Sequence, residues 1–459
     1  LPCSLTTHST LRSMAPMSGR TSYRVALIGC GTVGGATAQL LVQDRDAVAE
    51  RSGVDLELAA IVDRQFDYAR SLGLPEELFS EDLEATLADS SINVVVELVG
   101  GLDFARTLIL KALAAGKHVV TANKALLAHH GKELFASARE RGLTIGFEAS
   151  CGGGIPIIRA LTDGLSANTI DALYGIVNGT SNFILTEMIQ KGQTYPEALA
   201  AAQASGLAEA DPSLDVNGTD SAHKIAIMTA LAFGTAVDFD TIPVTGIDQL
   251  EAQDVIFGHD LGYVVKLLAV AHRVGTQVTA WVRPAFISTE HPLAWVSGPF
   301  NAVSVYGHAT GHTLYYGRGA GGAPTASAVV GDLIGIANGV LPSLFATTRY
   351  WPDRNTDGPQ IPPDSTVSRF YLRIMAQDQP GVLASVSAIL GEHGISIASL
   401  RQNEQARQDE RVPVVITTHE CPEEAIRSAL KEIDGLTTTG EGTVCLPIVD
   451  EHPEHPVSR

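Results

Sequence analysis

Cations, paired cysteines and long apolar runs are what this sequence has little of. Its 31 Lys and Arg stand against 51 Asp and Glu, a formal net charge of −20. Such a surface repels phosphate backbones and anionic lipid, so neither nucleic acid nor membrane is expected as a partner. No apolar run approaches the ~20 residues that a membrane-spanning helix needs. The five cysteines, Cys3, Cys30, Cys151, Cys421 and Cys445, form no CxxC pair. Neither a zinc site nor a disulfide framework is signalled, and a reducing, cytoplasmic compartment is expected.

Apolar residues at 45% and charged residues at 18% of the 459-residue chain suit packed domains. At roughly 100–200 residues per domain, two to four domains are expected. Leu1 to Arg24 is rich in Ser and Thr, carries Arg12, Arg20 and Arg24, and has no acid. That is weakly like an organelle transit peptide. A disordered tail over 1–22, or a true start at Met14 or Met17, is the plainer reading. No internal repeat is visible.

Tyr23–Ile28 is a short apolar run entering GCGTVGG, a strand leading into a glycine turn. A helical pattern follows from Gly34 to about Val48. Leu56–Val62, Asn93–Val99, Lys117–Thr121 and Leu143–Phe147 read as further strands with helices between them. Strands alternating with helices predict a doubly wound parallel sheet over 23–150, an α/β arrangement of Rossmann type. From 151 to 322 the pattern changes to an α+β unit with a mostly antiparallel sheet. Its expected strands are Thr169–Val177, Thr279–Arg283, Ala302–Tyr306 and Thr313–Tyr316, and its expected helices Asn182–Gln190, Pro196–Ser205 and Gly218–Ala232. Trp281, Phe286 and Trp295 are expected in the core or in an interface. A helix over 323–340 is expected to return to the first unit. The polar, Pro-rich stretch 341–367 reads as a linker. Residues 368–450 then give βαββαβ, a ferredoxin-like small domain.

Gly29, Gly31 and Gly34 form GxGxxG between strand and helix, with Thr32 and Val33 inside the motif. The first glycine permits the tight turn, the second the approach of a pyrophosphate, and the third close helix–strand packing. The anion would sit on a helix N-terminus, so a strongly acidic chain needs no lysine cluster to hold NAD or NADP. Asp63 ends the second strand and could accept from ribose hydroxyls, favouring NAD. Arg64 beside it could pair a 2′-phosphate, favouring NADP; both readings stay open.

Three segments carry the chemistry: TANKALLA (Thr121–Ala128), IVNGTSNFIL (Ile176–Leu185) and GLAEADPSLDVNGTDSAHKIAI (Gly206–Ile227). Reducing a carbonyl builds negative charge on its oxygen, which a cation or acid must meet. Lys124 follows a strand end, and Lys224 sits on a helix one turn after Asp220. Two lysines facing one oxygen are expected to depress each other's pKa. Glu209, Asp211 and Asp215 cluster in the preceding loop, where they could hold an ammonium group. An ordinary surface pair is the plain alternative for Asp220 and Lys224.

These segments resemble the homoserine dehydrogenase family, as do EASCGGGIPIIRAL (Glu148–Leu161), VRPAFI (Val282–Ile287), HPLAWVSGPFNAV (His291–Val303) and GAGGAPTASAVVGDL (Gly319–Leu333). The resemblance covers roughly Tyr23 to Asn338. It implies reversible reduction of L-aspartate 4-semialdehyde to L-homoserine by NAD(P)H, in the supply of threonine, methionine and isoleucine. Lys224 is the implied proton donor, with Lys124 and Asp220 in support. Glu209, Asp215, Asn178, Gly179 and Thr180 are the implied substrate contacts, with Thr121 and Lys124 near the cofactor. A monovalent cation, Na or K, is implied at Glu148, through its side chain or backbone, and at carbonyls near Cys151, Gly153 and Ile155. Association through the middle unit implies a homodimer or homotetramer, and the lack of a preceding kinase-like domain implies a monofunctional enzyme.

AQDQPGVLA (Ala376–Ala384) and GISIASLRQ (Gly394–Gln402) resemble the ACT family of amino-acid-sensing domains. A threonine effector is implied near Asp378, Gly381, Val382 and the stretch from Ile395 to Ser399. Two rivals remain from the sequence. One is an acylating semialdehyde dehydrogenase using Cys151, where the homoserine dehydrogenases carry a small aliphatic residue. The other is a non-catalytic amino-acid sensor.

Overall fold

A computed structural model describes residues 22–355, 361, 366–402, 411–440, 442–450 and 452–453. The expected tail lies outside these residues, apart from Ser22. The first sheet contains β1 (Ser22–Ile28), β2 (Asp55–Val62), β3 (Phe79–Ser80), β4 (Val94–Glu97), β5 (His118–Thr121) and β6 (Ile145–Gly146). All its pairings are parallel, in the order β3-β2-β1-β4-β5-β6. Val25, Ala26, Leu27, Val94, Val95, Val96, Val119 and Val120 are fully buried. Helices cover both faces, so the central positions of these strands are apolar, which is why they read as nearly unbroken runs. The order reverses between β1 and β4, and ligands of such sheets bind at the carboxyl ends of the strands there.

The helical run after the glycine turn divides at Asp44 into Thr32–Gln43 and Arg45–Ser52. Helix Gly322–Ala337 packs on Thr32–Gln43, where Gly322 lies against the Thr32 carbonyl. It thus returns to the first sheet, as its apolar pattern suggested.

The second sheet joins β7 (Ile170–Ile176), β8 (Tyr263–Val274), β9 (Gln277–Ser288), β10 (Phe300–Gly307) and β11 (Gly311–Arg318) in the order β11-β10-β7-β8-β9, all antiparallel. The twelve residues of β8 had no strand expectation. Val265 to Ala271 are buried without a break, so no polar alternation marked them. Helix Thr219–Phe233 contacts β7, β8 and β9, and every residue from Asp220 to Phe233 is buried. Trp281 and Phe286 are in the core, whereas Trp295 is 79% exposed.

The expected linker is a correction. Val340–Thr347 is a helix with Leu341 and Phe345 buried. Trp351 is fully buried among Phe135, Phe147 and Phe345, and Asp353 pairs with Arg139. Beyond that helix, aromatic anchors and an ion pair hold residues 348–355 without any helical or strand period. Residues 356–360 and 362–365 of it lie outside the described residues.

The last unit contains β12 (Val367–Gln377), helix Val382–Glu392, β13 (Ile397–Gln402), β14 (Arg411–Thr418), β15 (Cys421–Pro422), helix Glu423–Asp434 and β16 (Val444–Val449). Its order β16-β12-β14-β13 is the ferredoxin-like one. The two-residue β15 pairs with the start of β12. β16 also pairs in parallel with β9, Ile448 opposite Phe286 and Val449 opposite Ile287, so the second and third units share one sheet. Buried Asp254 accepts from Arg373 at 2.6 and 3.0 Å and from Tyr371 at 3.0 Å, across the same seam. Among the described residues no single helix is long and apolar enough to cross a membrane.

Candidate active site

The glycine turn has the space that an anion requires. A Cβ on Gly29 would meet the Leu98 backbone at 2.8 Å, and one on Gly34 would meet the Gly29 carbonyl at 2.0 Å. Over Gly31 nothing lies within 4 Å. Gly31 is also the N-cap of helix Thr32–Gln43, and no side chain caps that end. Its N–H groups are left to a ligand, with the helix dipole behind them. Asp63 reaches back to this turn, accepting from the Cys30 N–H at 2.6 Å and from the Arg64 N–H at 2.6 Å. The Arg64 side chain is exposed.

Across the crevice, β5 ends at Thr121, whose hydroxyl donates to buried Glu97 at 2.6 Å. Glu97 also accepts from the N–H groups of Val99 and Gly100, fixing the turn beside Gly29. The sequence reading passed over Glu97, although an acid closing the apolar run Val94–Glu97 was the available signal. Asn123 caps the next helix by accepting from the Leu126 N–H, which places Lys124 at that helix's first position.

Lys124 meets Asp220, with Nζ to Oδ1 at 3.2 Å. The other oxygen, Oδ2, accepts from Lys224 Nζ at 2.6 Å and from Asn178 Nδ2 at 2.8 Å. Lys224 also donates to the Val177 carbonyl at 2.6 Å. Asn178 is the N-cap of helix Gly179–Lys191 and donates to Asp215 as well, at 2.7 Å. Gly179 is required beside it, because a Cβ would lie 2.8 Å from the Pro299 carbonyl. Thr180 ties this helix to the following loop by donating to the Leu207 carbonyl. Five expected residues (Lys124, Asn178, Asp215, Asp220 and Lys224) thus form one connected cluster. Glu209 does not join it: it is exposed, and its backbone carbonyl accepts from Gln203.

The electrostatics differ from the expectation for facing lysines. Burial disfavours the Lys124 ammonium, but Asp220 outweighs it and the pKa is raised. Burial likewise opposes the Asp220 carboxylate, yet Lys224 and Lys124 hold its pKa far below the usual range. An acid between the lysines reverses their mutual repulsion. Behind them, burial, His129 and Lys124 lower His223 to about 4, and its ring stacks on Phe239 at 4.6 Å. This neutral imidazole, one residue before Lys224 in SAHK, was not singled out from the sequence.

Known proteins match this chain along most of its length. Residues 156–334 match the family model for homoserine dehydrogenase, 29–148 its NAD-binding domain, and 370–435 the ACT domain. A homoserine dehydrogenase of Pseudomonas aeruginosa is 45% identical over 90% of this chain and 95% of its own length. A crystal structure of one from Thiobacillus denitrificans superposes with a TM-score of 0.88 at 40% identity, covering 94% of this chain and 99% of that one.

The chain belongs to the homoserine dehydrogenase family.

Members of this family are NAD(P)-dependent oxidoreductases, and the glycine turn fits that cofactor. A hyperthermophilic archaeal homoserine dehydrogenase solved in complex with NADPH superposes at a TM-score of 0.57, with 28% identity over 69% of this chain and 97% of that one. The Cys151 rival loses its chemical basis. The thiol is fully buried, burial pushes its pKa up to about 12, and it donates to the Lys224 carbonyl at 3.9 Å. A nucleophile needs a thiolate and access, and this thiol has neither.

Glu148 also differs from one expectation. Its carboxylate accepts from the N–H groups of Ile158 and Arg159 at 2.8 and 2.9 Å. Both oxygens therefore cap a helix start. Among the described residues no group of three His, Cys, Asp or Glu side chains could hold a metal. In the ACT unit, the side chains of Val382 and Ile395 belong to the core, and Ile395 precedes β13 rather than lying in it. Gly381 takes a φ of +96° before helix Val382–Glu392, while Asp378 accepts from Gln402 and Ser399 meets Thr417.

Proposed function

We propose that this chain interconverts L-homoserine and L-aspartate 4-semialdehyde, with Lys224 as the proton donor to the aldehyde oxygen. The observation that carries the assignment is the Asp220 carboxylate shared by two lysines opposite the glycine turn. The nicotinamide, when bound, supplies or takes up the hydride. Lys224 carries its proton at Nζ, oriented by Asp220 and the Val177 carbonyl, and delivers it as negative charge builds on the substrate oxygen. Lys124 keeps its charge and polarises the same oxygen. Asp215 receives the substrate ammonium, and Glu209 completes that site when its loop folds over the substrate. The N-terminus of helix Gly179–Lys191, at Gly179 and Thr180, suits the substrate carboxylate. Thr121 and Lys124 border the cofactor.

Oxidation of L-homoserine, followed by absorbance of the reduced cofactor with NAD and NADP in parallel, tests the reading. The ratio of the two rates decides whether Asp63 or Arg64 governs the choice. No turnover by folded, cofactor-binding protein would overturn the proposal. Threonine in the same assay tests the ACT unit, with Asp378, Gly381 and Ser399 as the residues offered to it. Inhibition supports a feedback role; no effect removes it.

The implied monovalent cation is best assigned to backbone carbonyls of Glu148, Cys151, Gly153 and Ile155, since the Glu148 carboxylate is engaged elsewhere. Oxygen-only ligation of this kind suits a hard ion. Higher thermal stability in K or Na than in a bulky organic cation of equal ionic strength would support it. A homodimer or homotetramer is proposed through the middle unit, whose edge strand β11 exposes Leu314 and Tyr316. Light scattering of the full chain checks it.

A further inference from the structure

Seven acidic side chains are buried among the described residues. Glu148, Glu187, Asp220, Asp254, Asp332 and Glu423 each lie 3.9 Å or less from a lysine or arginine. Glu97 is the seventh. It is fully buried and has no such partner. Its bonds are to neutral donors: the Thr121 hydroxyl at 2.6 Å and the N–H groups of Val99 and Gly100 at 3.0 Å each. A buried acid without a cation is unfavourable, and departures of this kind are expected where function requires them.

Its place in the sheet gives the charge a target. Glu97 closes the apolar run of β4, and its backbone is paired with Ile28 of β1 on one side and Thr121 of β5 on the other. It therefore sits at the carboxyl ends of the strands where the order reverses, the place where dinucleotides cross such sheets. The glycine turn after Ile28 suits the pyrophosphate, and Asp63, just beyond β2, marks the adenosine side. The nicotinamide half then falls on the other side, over β4 and β5. Lys124 adds a second constraint, which rests on the proposed substrate site. A ring that passes hydride to a carbonyl beside Lys124 must lie between the glycine turn and that lysine. The Glu97–Thr121 contact spans this interval: the Thr121 oxygen also accepts from the Asn123 N–H at 3.0 Å, and Asn123 caps the helix that Lys124 begins.

We propose that Glu97 sets the preference between oxidised and reduced cofactor, its buried charge favouring a cationic nicotinamide ring over a neutral one. In aldehyde reduction the hydride leaves nicotinamide C4 with its electron pair for the carbonyl carbon, and the oxygen receives the Lys224 proton. Positive charge grows on the ring side as the substrate is reduced, and an anion beneath it favours that change. Burial keeps water from screening the interaction. Sealed beneath Thr121, Glu97 acts through its field, as a positioning residue.

Equilibrium binding to the full chain tests this, with Kd measured for NADP and NADPH and for NAD and NADH. Within each couple the adenosine half is identical, so the ratio of the two Kd values reports the ring alone. Glu97→Gln keeps the size of the side chain and removes its charge. It should shift the ratio toward the reduced form by roughly fivefold or more, chiefly through weaker binding of the oxidised form. Thr121→Val and Glu97→Asp keep the charge. Whatever they cost in affinity should fall on both forms, leaving the ratio within about twofold of the parent's. Equal losses of both forms in Glu97→Gln, as a purely structural acid would give, or an unchanged ratio, would overturn the proposal. So would a larger shift in either charge-conserving variant, which decides the matter even where Glu97→Gln does not fold. Binding is read without turnover. A failure of homoserine oxidation while the ratio shifts as expected would overturn the proposed reaction and leave the role of Glu97 standing.

Discussion

Asp220 and Glu148 are both buried carboxylates close to where the parallel sheet meets the mixed one, 8% and 4% exposed, yet they settle in opposite states. Desolvation raises both. At Asp220 two lysines and an asparagine amide more than repay it, and the acid stays ionised. At Glu148 the next strongest influence is Asp332, a second acid, and the pKa rises to about 8. Arg159 lies 3.9 Å away and is itself partly exposed, so it compensates weakly. Burial alone does not decide a carboxylate's state; the sign of its nearest neighbours does. The Asp220 cluster keeps its charges, whereas the Glu148 pair of acids sheds one.

The largest test acts on the cations around Asp220. Lys224→Ala should lower kcat by about 10²–10⁴-fold, the usual worth of a positioned general acid. Its effect on the Kd of the cofactor should be small. Lys224→Arg should restore the ion pair without restoring kcat, because a guanidinium does not release its proton. Parent-like activity of either variant would end the proton-donor assignment.

Next in size is stability. Asp220→Ala leaves two ammonium groups without their shared acid and should cost about 3–5 kcal/mol in denaturant unfolding at pH 7. The Asp220 pKa is depressed on folding, so its contribution is present above the unfolded value of ~3.9 and is lost as pH falls below it. The gap between parent and variant should narrow in acid. A gap independent of pH would contradict the ionised state.

Glu148 should behave in the opposite sense. A raised pKa means that the contribution is full below the unfolded value of ~4.3 and is lost as pH rises through about 8. Glu148→Gln cannot ionise, so its Tm should gain on the parent between pH 5 and pH 8. Over about three pH units the difference amounts to roughly 4 kcal/mol, so a gain of several degrees is expected. Parallel Tm curves would show Glu148 to be ionised throughout. The smallest effect belongs to Asp332→Asn, which removes the neighbouring acid and should flatten the same pH slope by a degree or so. An unchanged slope would leave desolvation as the whole cause.

Much of the fold was legible because the controlling interactions are local. GxGxxG between a strand and a helix marks a nucleotide turn in any context, and the alternation of apolar runs with helical periods marks a parallel sheet. The ACT unit could be read for the same reason. β8 was not legible, since its buried centre, Val265 to Ala271, carries no alternation. Nor was the packed stretch around Trp351, whose order comes from Phe135, Phe147 and Phe345 far away in the chain.

The sequence by itself determined the glycine turn, the three kinds of unit, and the residues of the lysine–aspartate cluster. Lys124, Asn178 and Asp220 come from separate segments, and their types and motifs were enough to nominate them. Only the tertiary structure decided what those residues do to one another. It set Asp220 between both lysines, turned the Glu148 carboxylate onto a helix start, and sealed Cys151 beneath Lys224. It also joined β9 to β16 and so created the seam. The reason is that charge state and access depend on neighbours within a few ångströms, and those neighbours lie tens to hundreds of residues away along the chain.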